Sequence, residues 1–276
     1  MTIRYQVPQG GTMHRGFQIE GLSDTFGTES DSRGRAIRDK QISTVRSTLD
    51  AYLSDDGSLD AKALSKAWFP AIKADVFISH SHNDEAKALR LAGWLEQHFG
   101  LNSFIDSTVW NSADALLKKI DDKYCMQENR TSYDYDKRNL STSHVHMMLA
   151  MAITEMIDRC ECLFFLNTPA SITPGKTINE AKTSSPWIYA EIAISKTIQK
   201  KQLPSSRRVL EFVAMDSVSK KADGSVPLIH ELDVAHLSRV SEMQLHIWAI
   251  KSCLPPKSNP LDVLYELIPV RKYTHL

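Results

Sequence analysis

The sequence lacks an excess of charge of either sign. Lys plus Arg and Asp plus Glu each number 33 in 276 residues, so the formal net charge is zero. A surface for nucleic acid or anionic lipid needs a basic excess, so neither partner is expected. The sequence also lacks the run of ~18 apolar residues that a membrane helix needs, and its first residues lack the apolar core of a secretory signal. These absences favour a cytoplasmic protein.

Cysteine is scarce, with four residues in the chain. Their spacing shows no C-x-x-C pair for zinc and no disulfide framework. Cys160 and Cys162 alternate in an apolar segment, which favours buried core thiols. Two H-x-H pairs, at 80–82 and 144–146, leave a metal site as an alternative, but neither has an acidic or cysteine partner at ligand spacing. No metal is therefore expected.

The sequence does contain short apolar runs that alternate with helical patterns. Apolar runs predict strands at 74–79, 102–106, 160–167 and 209–215. Helices are predicted at 33–54, 60–68, 85–99, 112–122, 144–159, 186–198, 241–252 and 261–268. The alternation predicts an α/β fold, in which a central parallel sheet has helices on both faces.

Two segments differ from this alternation. Residues 1–74 contain helical patterns but no strand-like apolar run. They are expected to form a helical N-terminal extension outside the sheet, next to a domain at 75–276. Residues 123–143 are polar and turn-rich, which predicts a segment inserted into that domain.

The predicted helix that begins at Pro186 carries an unusual carboxylate. Pro186 suits the first position of a helix, and Ser185 suits the cap before it. One face of this helix is expected to contain Trp187, Ala190, Glu191, Ile194 and Ile198. A carboxylate on an apolar face is costly unless it is paired or used. Glu191 is therefore the candidate catalytic residue.

Further polar and aromatic residues follow the predicted strands. Ser79 ends the first strand, Asp106 ends the second, and Trp110 follows in the next loop. In parallel sheets, ligands bind at the carboxyl ends of the strands. The candidate site therefore comprises Ser79, His80, Asp106, Trp110, Trp187 and Glu191.

Four motifs, in chain order, resemble those of TIR (Toll/interleukin-1 receptor-like) domains. They are DVFISHSHND at the first strand, FID at the second, MAITEMIDRCECLFFLNTP at a helix and the third strand, and SSPWIYAEI at the helix with Glu191. The matches span about 75–215 and are similar to stand-alone bacterial members of Thoeris-like defence systems. The chain departs from the family at His80, where a Tyr or Phe is usual, and after Met215. The resemblance implies a flavodoxin-like three-layer sandwich.

The resemblance also implies an activity, the cleavage of NAD between ribose and nicotinamide. The product would be ADP-ribose or a cyclic isomer that acts as a signal in antiphage defence. Glu191 would stabilise the cationic ribose or bond to its anomeric carbon. Trp187 would pack against a ring of the substrate, and Ser79, His80, Asp106 and Trp110 would contribute further binding contacts. NAD would be a substrate, with no separate cofactor, and the family implies self-assembly through TIR–TIR contacts and a phage-derived trigger.

Two other functions fit the same residues. A TIR domain that acts only as an interaction adaptor would keep the fold, but it would not need Glu191. An enzyme similar to nucleoside deoxyribosyltransferases would use a carboxylate at a related glycosidic bond. Product analysis with NAD and a survey of nucleoside substrates separate the three.

Overall fold

The structure is a computed structural model that describes residues 13–23, 26–42, 49–53, 58–174, 181–204, 207, 229–255 and 258–270. The predicted strand at 209–215 lies outside the described residues. In chain order the described strands and α-helices are β1 (Arg15–Glu20), α1 (Gly27–Ile42), α2 (Ala61–Trp68), β2 (Val76–Ser79), α3 (Glu85–Phe99), β3 (Ser103–Ile105), α4 (Ser107–Ile120), α5 (Tyr135–Arg159), β4 (Cys162–Asn167), β5 (Thr173–Pro174), β6 (Ala181–Thr183), α6 (Pro186–Thr197), β7 (His230–Leu232), β8 (Ser238–Ser241), α7 (Glu242–Ser252) and α8 (Pro260–Leu267).

The predicted α/β sandwich with a central parallel sheet is confirmed. Five strands pair in the order β3-β2-β4-β1-β8, and every neighbouring pair is parallel. Alternate strand residues face opposite layers. Phe77 and Phe165 face the layer that contains α2, α4, α5 and α6, whereas Ile78 and Phe164 face α3, α7 and α8. A small antiparallel sheet, β5-β6-β7, lies apart from the main one.

The prediction that residues 1–74 stay outside the sheet is wrong. β1 lies between β4 and β8, and Phe17 is in register with Phe164. The strand was missed because its sequence, RGFQIE, is not a continuous apolar run. Arg15 and Gln18 are nevertheless buried, and the guanidinium of Arg15 donates to Ser238 Oγ at 2.8 Å. A polar residue is tolerated in a central strand when it finds such a partner.

The order of the strands in the sheet differs from the flavodoxin-like order in its fourth and fifth positions. In the flavodoxin-like order 2-1-3-4-5, the third, fourth and fifth strands of the chain lie next to one another in sequence order. Here β2, β3 and β4 fill the first three of those roles, but the fourth position is occupied by the N-terminal strand β1 and the fifth by β8. The N-terminal segment is therefore an integral part of the sheet.

Helix α1 is also displaced from its prediction, since it covers Gly27–Ile42 and was predicted at 33–54. It crosses α3 at two glycines that allow the backbones to approach closely. A Cβ atom on Gly34 would lie 1.8 Å from the carbonyl oxygen of Leu89, and one on Gly93 would lie 1.9 Å from that of Ser30. The contact depends on small residues, which an apolar periodicity does not reveal.

Most other helices agree with the sequence. Helices α2, α3, α7 and α8 lie within two residues of their predicted bounds, and α3 ends at Gly100, whose φ of 67° is left-handed. Two helices start earlier than predicted. α4 begins at Ser107 and α5 at Tyr135, so the polar segment 123–143 includes the first turns of α5. None of the described helices is long and apolar enough to cross a membrane.

An ion cluster fixes the amino end of the sheet. The guanidinium of Arg207 donates to both carboxylate oxygens of Glu161, which precedes β4, and to Asp262 on α8. Tyr265 also donates to Glu161, at 3.0 Å. Burial lowers the pKa of Arg207, but the two carboxylates outweigh burial and hold that pKa above its usual value.

Candidate functional site

The candidate site lies where the order of the strands changes direction. The chain adds β3 on one side of β2 and β4 on the other, and in such sheets the crevice at the carboxyl ends of these strands binds ligands. Ser79 is the last residue of β2, and Asp106 directly follows β3. Helix α6 brings Glu191 to the same end of the sheet, where it meets Ser79.

The start of α6 was predicted correctly. Pro186 is the first residue of the helix, and Ser185 accepts a hydrogen bond from the Ile188 N–H at 3.3 Å. The hydroxyl of Ser79 donates to Glu191 Oε2 at 2.6 Å, and both side chains are fully buried. The carboxyl group of Glu191 also lies within hydrogen-bonding reach of Asp106.

The predicted face of α6 needs a correction of its phase. The buried residues of the helix are Ile188, Glu191, Ile192 and Ser195. Glu191 therefore points inward as expected, but Trp187, Ala190, Ile194 and Ile198 are only partly buried. The buried face is centred about one residue further along. Trp187 lies in the first turn of α6, at the border of the core, and its ring lines a cleft.

His80 and Asp106 form a second contact below the same edge. His80 Nδ1 lies 2.5 Å from Asp106 Oδ1, within hydrogen-bonding distance. The backbone N–H of His80 donates to Asp106 Oδ2 at 3.2 Å. Burial lowers the pKa of His80, but the charge of Asp106 and hydrogen bonds to Asp106 and the Ile78 carbonyl together raise this pKa above its usual value.

Glu191 completes a buried cluster with these two residues, which we call the His80–Asp106–Glu191 cluster. Burial raises the pKa of Glu191 well above its usual value, and the charge of Asp106 raises it further. The hydrogen bond from Ser79 acts in the opposite direction. Two buried carboxyl groups at close range cannot both ionise cheaply, so this closed arrangement favours the protonated form of Glu191.

A cleft of about 370 Å³ lies beside the cluster. Its lining residues come from the loop after β2 and from α4, α5 and α6, and they include Ser81, His82, Trp110, Asp114, His146 and Trp187. The ring of His80 stacks on Trp110, with centroids 5.9 Å apart, and Trp110 therefore contacts the cluster and lines the cleft. His146 meets Trp187 edge-on at 5.3 Å.

The six predicted site residues thus fall into two groups. Trp110 and Trp187 line the cleft, whereas Ser79, His80, Asp106 and Glu191 are fully buried beneath it. No pattern in the sequence indicated that His146 or Asp114 would line this cleft. Asp114 lies one turn after Trp110 on α4, a relationship that was hidden because that helix was predicted to begin at residue 112.

Hydrogen bonds between side chains fix the loops that border the cleft. Asp84 accepts hydrogen bonds from the Ser81 hydroxyl, at 2.6 Å, and from the Thr168 hydroxyl. Ser171 donates to the carbonyl of Leu166 at 2.7 Å, which closes the turn after β4. The loops after β2 and β4 are therefore tied together at the edge of the sheet where the cluster lies.

The cysteines and the H-x-H histidine pairs are the other candidate metal ligands in the sequence. Among the described residues, no three His, Cys, Asp or Glu side chains are grouped to hold a metal ion. Cys160 and Cys162 are buried free thiols, and burial raises the pKa of each. These cysteines therefore pack in the core, as their alternation in the apolar segment 160–167 predicted.

Comparisons of the chain with known proteins found no matching family model, no matching curated protein and no matching solved structure.

Proposed function

We propose that this chain cleaves the N-glycosidic bond of NAD and releases nicotinamide. The observation that carries the proposal is the position of Glu191. Its carboxyl group is fully buried at the strand edge where ligands bind in this fold, beside the Asp106 carboxyl group, which raises its pKa. Two carboxyl groups buried side by side cost stability, and such perturbed pairs are typical of functional sites. The four TIR-like motifs supply the substrate class.

The chemistry of the bond suits one carboxylate. When the ribose–nicotinamide bond breaks, its electron pair goes to the pyridine nitrogen and positive charge develops on the ribose. A carboxylate at this position stabilises that charge or bonds to the anomeric carbon. Nicotinamide leaves as a neutral molecule, so its departure needs no proton. Glu191 fills the role of the carboxylate.

The cleft suits part of a dinucleotide. Its volume of about 370 Å³ is within the range of small-ligand pockets, which spans roughly 300–1,000 Å³. Two indole rings, Trp110 and Trp187, offer surfaces for a flat heterocycle. Hydroxyl and amide groups such as Ser185 and Asn111 supply hydrogen bonds for ribose hydroxyls.

Access to Glu191 requires that the site opens. Glu191 is fully buried and does not line the cleft, so the residues above it must move before a ribose reaches its carboxylate. A cationic nicotinamide ring that enters this space favours the ionised carboxylate and so lowers the pKa of Glu191. Substrate binding and ionisation of the carboxylate are therefore coupled.

The test is incubation of the purified chain with NAD, followed by mass spectrometry of the products. The wild type should release nicotinamide with ADP-ribose or a cyclic isomer, and Glu191→Gln should lose this activity while it remains folded. Glu155→Gln on the exposed side of α5 is the matched control and should behave as wild type. A folded Glu191→Gln protein with wild-type turnover contradicts the proposal.

The same experiment separates the alternatives. An adaptor would leave NAD intact in every variant, and an enzyme similar to deoxyribosyltransferases would act on deoxynucleosides in a parallel assay. The buried pair of carboxyl groups, Asp106 and Glu191, favours an enzyme, since an adaptor gains nothing from its cost. A defence role, a phage-derived trigger and TIR–TIR assembly rest on the sequence resemblance alone, and repeating the assay over a range of protein concentrations tests the last of these.

A further inference from the structure

We propose that His80 is the general base of the reaction and that Asp106 positions it. In this role His80 Nε2 takes the proton from the water or hydroxyl group that attacks the ribose. The inference rests on the proposed function, because it assigns a second catalytic residue to the same site. It differs from the sequence-based expectation that His80 and Asp106 serve only as substrate contacts.

The two nitrogens of the His80 ring have different surroundings. Nδ1 lies 2.5 Å from Asp106 Oδ1, and the backbone N–H of the same histidine donates to Asp106 Oδ2. Both carboxylate oxygens of Asp106 therefore contact His80. Nε2 is buried and has no partner among the described residues. A carboxylate at one ring nitrogen fixes the tautomer and leaves the other nitrogen for proton transfer.

Unpartnered polar atoms are concentrated around this ring. Among the described residues, His80 Nε2, the Ser107 hydroxyl and the Trp110 indole N–H are buried and have no hydrogen-bond partner. Buried polar groups are normally satisfied, and exceptions mark strained or catalytic positions or places that bind water. Such a concentration fits a space that receives a water molecule and the polar groups of a ribose when the site opens.

The position of Trp110 gives His80 a route to the substrate. Trp110 stacks on the His80 ring and also lines the cleft, so its indole connects the base to the cleft. In the proposed reaction, the opening that lets the ribose reach Glu191 also moves the indole away from His80. The TIR family usually has a Tyr or Phe where this chain has His80, and neither of those rings is a base at neutral pH.

The two halves of the reaction then use different groups. The bond between C1′ of the ribose and nicotinamide breaks, its electron pair stays on the pyridine nitrogen, and the Glu191 carboxylate stabilises the cationic ribose. The water oxygen bonds to C1′, and its proton passes to His80 Nε2. The resulting imidazolium is stabilised by Asp106 and later releases its proton to solvent, so that NAD and water give ADP-ribose, nicotinamide and one proton.

The role of His80 can be distinguished from that of Glu191 by using a nucleophile that has no proton to lose. The ring nitrogen of 3-acetylpyridine attacks the ribose without a base, and the product is the acetylpyridine analogue of NAD. In His80→Asn, hydrolysis should fall about 100-fold or more, the range of general-base catalysis, while exchange with 3-acetylpyridine is little changed. In Glu191→Gln both rates should fall. If His80→Asn slows exchange and hydrolysis equally, His80 has a structural role and the inference is overturned.

The wild-type protein offers a second measurement that does not depend on folding of a buried variant. Hydrolysis requires that both Glu191 and His80 have lost their protons, whereas exchange requires this of Glu191 alone. The charged groups that act on His80 are Asp106 and Glu85 on α3. The ratio of hydrolysis to exchange should therefore rise with pH, by about tenfold per unit below the pKa of His80, and then level off.

A ratio that is independent of pH overturns the inference and leaves NAD cleavage by Glu191 intact. A wild-type chain that neither hydrolyses nor exchanges NAD overturns the proposed function, and the role of His80 falls with it. The two failures are therefore distinguishable by whether the wild type shows any exchange.

Discussion

Ser79 and Glu191 lie 112 residues apart in the chain and are joined by a hydrogen bond of 2.6 Å between their side chains. The bond connects the last residue of β2 to the inner face of α6, so it links the first and last of the four TIR-like motifs. It also favours the ionised form of Glu191, although burial and the charge of Asp106 still keep the pKa of Glu191 well above its usual value. This pair therefore contributes both to the packing of α6 and to the protonation state of the site.

Replacement of Ser79 by alanine should destabilise the fold and shift the activity to higher pH. The substitution leaves Glu191 Oε2 buried without its donor, which costs about 1–3 kcal/mol of unfolding free energy. It also removes the interaction that lowers the pKa of Glu191, so this pKa rises further. Denaturant unfolding and the pH dependence of NAD cleavage measure the two effects.

Another buried serine, Ser195 on α6, provides the control for Ser79→Ala. Ser195 is also fully buried, but its hydroxyl lies against the Ile192 carbonyl and His236 and not against the cluster. Ser195→Ala should lower stability without a shift in the pH profile. Identical pH profiles for Ser79→Ala and wild type would show that the 2.6 Å bond does not tune Glu191.

Glu191→Gln should gain stability relative to wild type as the pH rises. The pKa of Glu191 is raised in the folded state, so its stabilising contribution is complete below the unfolded pKa of about 4.3 and is lost as pH rises through the folded pKa. Glutamine keeps the shape of the protonated acid and cannot ionise. Each unit of difference between the two pKa values is worth about 1.4 kcal/mol.

Thermal melting of both proteins from mildly acidic to alkaline pH measures this effect. The pKa of His80 is raised as well, which also makes the wild type lose stability with rising pH, but His80 is present in both proteins. The difference in Tm between Glu191→Gln and wild type should therefore grow with pH. A constant difference would mean that Glu191 is ionised in the folded protein at every pH tested.

The sequence was sufficient to predict the part of the site that depends on local rules. Ser185 and Pro186 mark the start of α6, and the apolar run before His80 marks a central strand. These features follow from capping preferences and from strand burial, which act within a few residues. The inward direction of Glu191 followed from the same helix, although the phase was wrong by about one residue.

What the sequence could not show depends on contacts between distant segments. β1 was not predicted because its buried Arg15 needs a hydrogen-bond partner, and that partner, Ser238, lies more than two hundred residues later in the chain. The contact between α1 and α3 depends on Gly34 and Gly93, which carry no periodic signal. The contact between buried His80 and buried Asp106 could likewise not be predicted from the sequence, because it depends on how closely the ends of β2 and β3 approach each other.

Deletion of residues 1–70 should prevent folding. The truncated chain lacks β1, which occupies the position between β4 and β8, so two strands lose their neighbour and their hydrogen bonds. It also lacks α1, which covers α3. We expect an insoluble product, or one without a cooperative thermal transition by circular dichroism. A soluble truncated chain with a cooperative transition would show that 1–70 are dispensable for the sheet.

Gly34→Ala should destabilise the protein although alanine is the better helix former. The added Cβ would lie 1.8 Å from the Leu89 carbonyl oxygen, so α1 and α3 have to separate. Overpacking of this kind typically costs about 1–3 kcal/mol, more than the ~1 kcal/mol that alanine gains in helix propensity. Ser32→Ala on the exposed side of α1 is the control and should leave the Tm nearly unchanged. Equal melting temperatures for both variants would contradict the close crossing of the two helices.

Trp187→Ala should impair substrate binding more than it impairs stability. The ring is partly exposed, borders the cleft and meets His146 edge-on, so less of its surface is buried than in a core tryptophan such as Trp248. Truncation of a core aromatic costs about 3–5 kcal/mol, and we expect roughly half of that here. The KM for NAD should rise clearly, because a wall of the cleft is lost. Trp187→Phe keeps an aromatic surface and should recover much of the KM. A full core-sized loss of stability together with an unchanged KM would place Trp187 in the core and remove it from the site.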